Sequence, residues 1–106
     1  DRGKRPMLGE VATRLADDVI VTSDNPRRED PAAIIDEIVA GAAANHRIEI
    51  DRARAVDRAI GGARKGDIVL IAGKGHETSQ ETGEAKLPFS DVEIARQALE
   101  KVRIPA

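Results

Sequence analysis

The chain contains no cysteine, tryptophan or tyrosine, and Phe89 is its only aromatic residue. The absence of cysteine excludes disulfides, thiol nucleophiles and cysteine-ligated zinc or iron–sulfur centres. A single aromatic leaves the core to Val, Ile, Leu and Ala. Each buried methylene contributes only about 0.8 kcal/mol, so a domain of this size is expected to be modestly stable. No uncharged run approaches the ~20 apolar residues of a membrane-spanning helix. Neither sign of charge dominates: 17 Lys and Arg stand against 19 Asp and Glu, a net charge of -2, without the basic excess of a nucleic-acid binder. Prolines are few, five in 106 residues, and the 41% hydrophobic, 34% charged composition is that of a chain that folds. The length suits one domain rather than two. The chain opens DRGKRP, with no initiator methionine and no signal-peptide pattern, and is expected to be a cytoplasmic piece of a longer protein.

What is present is an alternation of helix and strand. Met7, Leu8, Val11 and Leu15 recur at helical spacing behind Pro6, and Asp17-Asp18 close that segment. The β-branched run Val19-Ile20-Val21-Thr22 predicts a strand buried on both faces. Asp30-Pro31 is an N-cap followed by proline at the first helical position, and Ile34, Ile35, Ile38, Val39 and Ala42 then mark one helix face. Ile48 and Ile50 alternate in RIEID as a half-buried or edge strand. Asp51 predicts the cap of a third helix with Ala55, Val56, Ala59, Ile60 and Ala63 inward. After a turn at Gly66-Asp67, Ile68-Val69-Leu70-Ile71-Ala72 gives the strongest buried-strand signal in the chain. Gln80-Glu81 pairs weakly with Ala85 to Leu87, and Ser90 or Asp91 caps a last helix with Val92, Ala95, Ala98, Leu99 and Val102 inward. Three strands separated by helices imply an α/β fold, an open, mainly parallel sheet with flanking helices.

In such sheets ligands bind beyond the carboxyl ends of the strands. Two loops leave those ends, SDNPRRED from Ser23 and GKGHETSQ from Gly73. Gly73-Lys74-Gly75 resembles a phosphate-binding turn, but Ile68 stands in the slot of the first P-loop glycine and Gly75 follows the lysine where Ser or Thr is needed. The dinucleotide fingerprint needs a third glycine, which is missing. His76-Glu77 begins like a zinc-protease helix, but Gln80 occupies the second histidine position, so no metal site is expected. Solvated charges on a glycine turn would account for part of this loop. A ligand-binding reading accounts for more, since glycines admit close approach and Glu77 accepts an ammonium group. In the first loop, turn and cap chemistry explains Asp24, Pro26 and Asp30, but not Arg27, whose fork suits a carboxylate or phosphate. Asn25, Arg27, the Gly73 carbonyl and Glu77 together complement a small zwitterion.

DRGKRP at positions 1–6, DNPRREDP at 24–31 and AGKGHE at 72–77, in this order and spacing, resemble the C-terminal domain of bacterial Mur ligases, of the kind that adds diaminopimelate. The resemblance covers essentially the whole chain, so residues 1–106 are expected to form one C-terminal, amino-acid-binding domain. It implies a cytoplasmic, ATP-dependent amide ligase of peptidoglycan synthesis. The D-Glu carboxylate of UDP-MurNAc-L-Ala-D-Glu is phosphorylated to an acyl phosphate, the amine of meso-diaminopimelate attacks, and phosphate leaves. ATP, Mg2+ and a carbamylated lysine belong to a central domain of the full-length enzyme, and no cofactor is expected on this chain alone. Its partners are the two substrates and its own upstream domains, with no nucleic acid and no membrane.

Residue by residue, the resemblance implies that Asp24-Asn25-Pro26-Arg27 recognises meso-diaminopimelate. Arg27 and Asn25 hold the distal carboxylate that lysine lacks, and Gly73 and Glu77 bind the ammonium end. Asp1 and Lys4 lie in a segment that approaches ATP on domain closure, with Arg2 where the family commonly has lysine. Lys74 and His76 fall inside the matched motif without an assigned role. The family's domain begins earlier, with a strand, a glycine-rich turn and a further ligand-binding arginine. The sheet is therefore expected to lack its first strand, with an apolar edge exposed, and the chain alone to be inactive. Two other readings remain: a lysine-adding or folylpolyglutamate-type ligase domain, against which DNPR argues, and a noncatalytic α/β module that binds a small anion or nucleotide at the same edge.

Overall fold

The computed structural model describes residues 2–24, 29–73, 79–82, 85–88 and 90–102. A 3-10 turn at Arg2–Lys4 leads into helix α1 (Arg5–Leu15), then strand β1 (Val19–Val21), helix α2 (Pro31–Val39), strand β2 (His46–Ile48) and helix α3 (Arg52–Gly61). Strands β3 (Ser79–Thr82) and β4 (Ala85–Pro88) precede helix α4 (Asp91–Lys101). β1 and β2 pair in parallel, Val19 opposite His46 and Val21 opposite Ile48, with α2 as the crossover. β3 and β4 form an antiparallel pair in which Gln80 faces Leu87, the weak pairing expected from sequence.

Local chemistry sets the helix starts. The Asp30 carboxylate accepts a hydrogen bond from the Ala32 amide at 3.0 Å, ahead of Pro31 in the first turn of α2. Asp51 does the same for α3 through the Arg54 amide at 3.2 Å. Of the two candidates for α4, Ser90 is the cap, accepting from the Glu93 amide at 3.3 Å. Gly66 takes a φ of +92° in the turn that Asp67 closes on the Arg64 amide.

The first helix packs otherwise than its apolar spacing predicts. Gly9 and Thr13 are its buried residues, whereas Met7, Leu8 and Leu15 are exposed. The cause is backbone-to-backbone contact. A Cβ on Gly9 would overlap the Ile38 carbonyl of α2, and one on Gly41 would overlap the Pro6 carbonyl, so the helices meet along a glycine face that leaves no room for the large side chains. Thr13 ties the contact by accepting from the Ala43 amide at 3.0 Å. The Asn45 amide donates to the Thr13 and Ala16 carbonyls, both at 3.0 Å, satisfying the end of α1.

Helices α3 and α4 pack together over the aliphatic cluster Val56, Ile60 and Ala98, with Ile71, Ile94 and Ala95 against it. Here too the expected inward set is narrower than predicted. Val92, Leu99 and Val102 are exposed, while Ile94, absent from the expected stripe, packs inward, because a slim Ala-rich face suffices to meet α3. Ile71, Asp91, Val92, Ala95, Arg96 and Leu99 line an open, largely apolar hollow of about 410 Å³ beside that contact.

The largest correction concerns Ile68-Ala72. The segment is not a strand, and among the described residues its backbone makes no backbone hydrogen bond. Its exposure still alternates: Ile68 and Leu70 are 94% and 86% exposed, whereas Ile71 packs on the core. β-propensity supplies an alternating chain, but a ladder also needs a neighbouring strand, and among the described residues β1 and β2 pair only with each other. The result is an apolar segment that leaves Ile68 and Leu70 exposed.

Candidate functional site

β1 leads directly into the first motif loop. The ladder runs to the last residue of β1, the Glu49 amide just past β2 donating to the Val21 carbonyl at 3.0 Å. Ser23, itself buried, donates its hydroxyl to the Ile50 carbonyl at 2.7 Å. Asp24 follows at the mouth of the loop. The second motif loop is reached from Ile71, whose side chain is held on the core, through Ala72 to Gly73. Gly73 has a φ of +121°, a conformation that favours glycine.

The roots of the two loops meet. A Cβ built on Gly73 would stand 3.1 Å from Asp24 Oδ2 and 3.4 Å from Arg52 Nη2. Glycine at 73 is thus favoured by its backbone angle, and a side chain there would also press on the Asp24 carboxylate. Of the residues singled out in the sequence, Asp24 and Gly73 are brought together here.

Arg52, the first residue of α3, sits beneath this meeting point and is 4% exposed. Its Nη1 donates to the Ser23 carbonyl at 3.0 Å and its Nη2 to the Ala72 carbonyl at 3.1 Å. Nε and Nη2 also donate to the two oxygens of Asp91, at 2.8 and 2.6 Å, in a forked ion pair. Asp91, also 4% exposed, opens α4. Arg52 was not singled out from the sequence and Asp91 only as an alternative helix cap, yet each left a signal. An arginine in the first turn of a helix opposes the helix dipole, so something else must hold it there. Ser90 and Asp91 are adjacent cap-competent residues, and only one can cap.

The far end of the first loop is fixed separately. Glu29 accepts from Arg5 through both oxygens, at 2.9 and 3.0 Å, and Glu37 of α2 bonds the same guanidinium. Its hydrogen bonds to Glu29 first and to Glu37 second push the Arg5 guanidinium above its ordinary pKa. Arg5 is therefore a structural anchor for loop 24–30. Lys4 beside it is exposed. Asp1, Asn25, Pro26, Arg27, Lys74, His76 and Glu77 lie outside the described residues.

The fold thus brings Asp24 and Gly73, the first residues of the DNPR and GKGHE motifs, to one place. The hollow beside α4 is largely apolar. No helix among the described residues is long and apolar enough to cross a membrane.

Residues 1–75 match the family model described as Mur ligase, glutamate ligase domain. The chain is 60% identical over 106 residues to a UDP-N-acetylmuramoyl-L-alanyl-D-glutamate--2,6-diaminopimelate ligase of Nitrosomonas europaea, covering 99% of this chain and 20% of that protein. A protein of the same name from Synechococcus sp. (strain WH7803) is 57% identical over 101 residues, 93% of this chain and 20% of its own length. A solved structure of a UDP-N-acetylmuramoyl-L-alanyl-D-glutamate--2,6-diaminopimelate ligase superposes with a TM-score of 0.90 at 41% identity, over 95% of this chain and 21% of that one. The chain thus spans about a fifth of the length of the curated relatives it matches.

Proposed function

The chain belongs to the Mur ligase family, and from that premise we propose that its 106 residues form the amino-acid-binding C-terminal domain of an ATP-dependent ligase that adds meso-diaminopimelate to UDP-MurNAc-L-Ala-D-Glu. The observation that supports this reading is the close approach of Asp24 and Gly73, the first residues of the DNPR and GKGHE motifs. Arg27 and Asn25 hold the distal carboxylate of diaminopimelate, Asp24 and Pro26 shape that turn, and Gly73 and Glu77 receive the ammonium end. Lysine has the same amine but no distal carboxylate, so Arg27 would have nothing to pair with. That loss is the basis of discrimination.

ATP and Mg2+ are held in the rest of the full-length enzyme, where they supply the energy for activating the D-Glu carboxylate. This chain turns an exposed Lys4, at the end of its 3-10 turn, toward that nucleotide on closure, with Asp1 beside it in sequence. The setting is cytoplasmic, where these substrates are made. An amino-acid site without ATPase machinery cannot turn over, so the chain alone is inactive. The test is an amide-ligation assay of the full-length protein with diaminopimelate and with lysine as acceptors. The wild type uses diaminopimelate, and Arg27→Ala loses its preference by roughly 100-fold or more, as a site built around a charged group does when the partner is removed. An Arg27→Ala enzyme with undiminished preference would refute the carboxylate reading. Lysine use by the wild type would favour a lysine-adding ligase, and ligand binding without turnover would favour a noncatalytic module.

A further inference from the structure

Arg52 does something that no helix start or core position requires. One guanidinium, 4% exposed, donates to the last carbonyl before each motif loop, Ser23 at 3.0 Å and Ala72 at 3.1 Å. It is oriented by Asp91 at 2.8 and 2.6 Å. The two roots are otherwise unlike. Ser23 lies two residues past the laddered strand β1 and is tied to the Ile50 carbonyl by its hydroxyl, whereas among the described residues the backbone of 68–72 makes no backbone hydrogen bond. Nothing in the sheet sets the distance between them. The planar fork of arginine does, because its two terminal nitrogens are rigidly spaced and each is bonded to one root.

We infer that Arg52, oriented by Asp91, is the positioning residue that sets the span between the DNPR and GKGHE loops, and with it the length of amino acid that the site accepts. The inference rests on the amino-acid-binding reading above. Arg52 touches no substrate; it acts through the two backbones. A molecule with charges at both ends is measured by the separation of the groups that hold it, so a change in span reads out on the amino acid alone. Loss of a few tenths of an ångström to one ångström in such a frame costs on the order of 10- to 100-fold in productive binding.

The experiment uses the full-length enzyme carrying this chain. Arg52→Lys keeps the charge but has one nitrogen where the fork has two, so it cannot hold both carbonyls and the carboxylate together. The double variant Arg52→Met with Asp91→Leu removes the buried charges as a pair, a replacement that folded proteins commonly tolerate. In both, KM for diaminopimelate is expected to rise on the order of 10-fold or more, and the preference over lysine to fall, while KM for ATP and for the UDP-dipeptide stays within about twofold. An unchanged diaminopimelate KM in a folded variant overturns the inference, as does an equal rise for all three substrates, the mark of a merely structural residue. Loss of the fold in both variants overturns it too, making the pair a condition of folding rather than of spacing. The wild type run alongside separates the two claims. Without diaminopimelate-dependent turnover by the wild type, both the functional reading and this inference fall; with it, unaltered variants sink the inference alone.

Discussion

The two motif loops leave one rim of the molecule but are secured in different ways. The first is held at both ends. Its root continues a parallel ladder and is locked by Ser23 on Ile50, while its far end is fixed by Arg5 on Glu29 and by the Asp30 cap. The second is held at its root by side chains: Ile71 on the aliphatic cluster, and the Arg52 guanidinium on the Ala72 carbonyl. A segment outside any ladder can still be placed, provided that a buried fork ties its end to the neighbourhood of a strand that has one. The lesson is that the relative position of two loop roots can be specified by one charged side chain as well as by a sheet.

Substitutions at the roots test that contrast. Gly73→Val faces both a φ of +121° and the crowding of Asp24 and Arg52, and is expected to cost about 3 kcal/mol in urea unfolding. Gly66→Val shares the strained angle, at +92°, but has open space around it, so only the backbone penalty of about 1–2 kcal/mol remains. Equal losses at the two glycines would mean that the contact between the loop roots carries no weight. Ser23→Ala removes the hydroxyl bond to Ile50 while sparing the carbonyl that Arg52 grips, and should cost about 1 kcal/mol. Its effect is expected on stability alone. Arg5→Ala comes last, at under about 1 kcal/mol, since its partners are partly in water. That loss should shrink further in high salt, a dependence that thermal melts at two ionic strengths would reveal.

What the sequence made legible follows the range of the interactions concerned. Caps at Asp30 and Asp51 and the Gly66 turn are local, involving residues within three positions of one another, and each was readable from residue type. The parallel β1–β2 pair with its helical crossover followed from alternation of strand and helix signals. Ile68-Ala72 did not, because β-propensity describes a chain's own preference and says nothing of whether a neighbour is present to pair with it. Met7, Leu8 and Leu15 misled for a related reason: helical spacing finds an apolar stripe, whereas Gly9 and Gly41 let backbones meet on another face. The site divided in the same manner. Motif spacing pointed to Asp24 and Gly73, which the fold does join, but the ion pair of Arg52 and Asp91 spans 39 residues and cannot be found by local pattern.

A crystal structure of the full-length protein soaked with meso-diaminopimelate tests the central claim most directly. The account predicts one ligand molecule bridging the rim, its distal carboxylate on the Arg27 guanidinium and its ammonium end on the Gly73 carbonyl and Glu77. Density for the ligand elsewhere, or Arg27 and Glu77 turned to opposite sides with the space between the loop mouths empty, would contradict it.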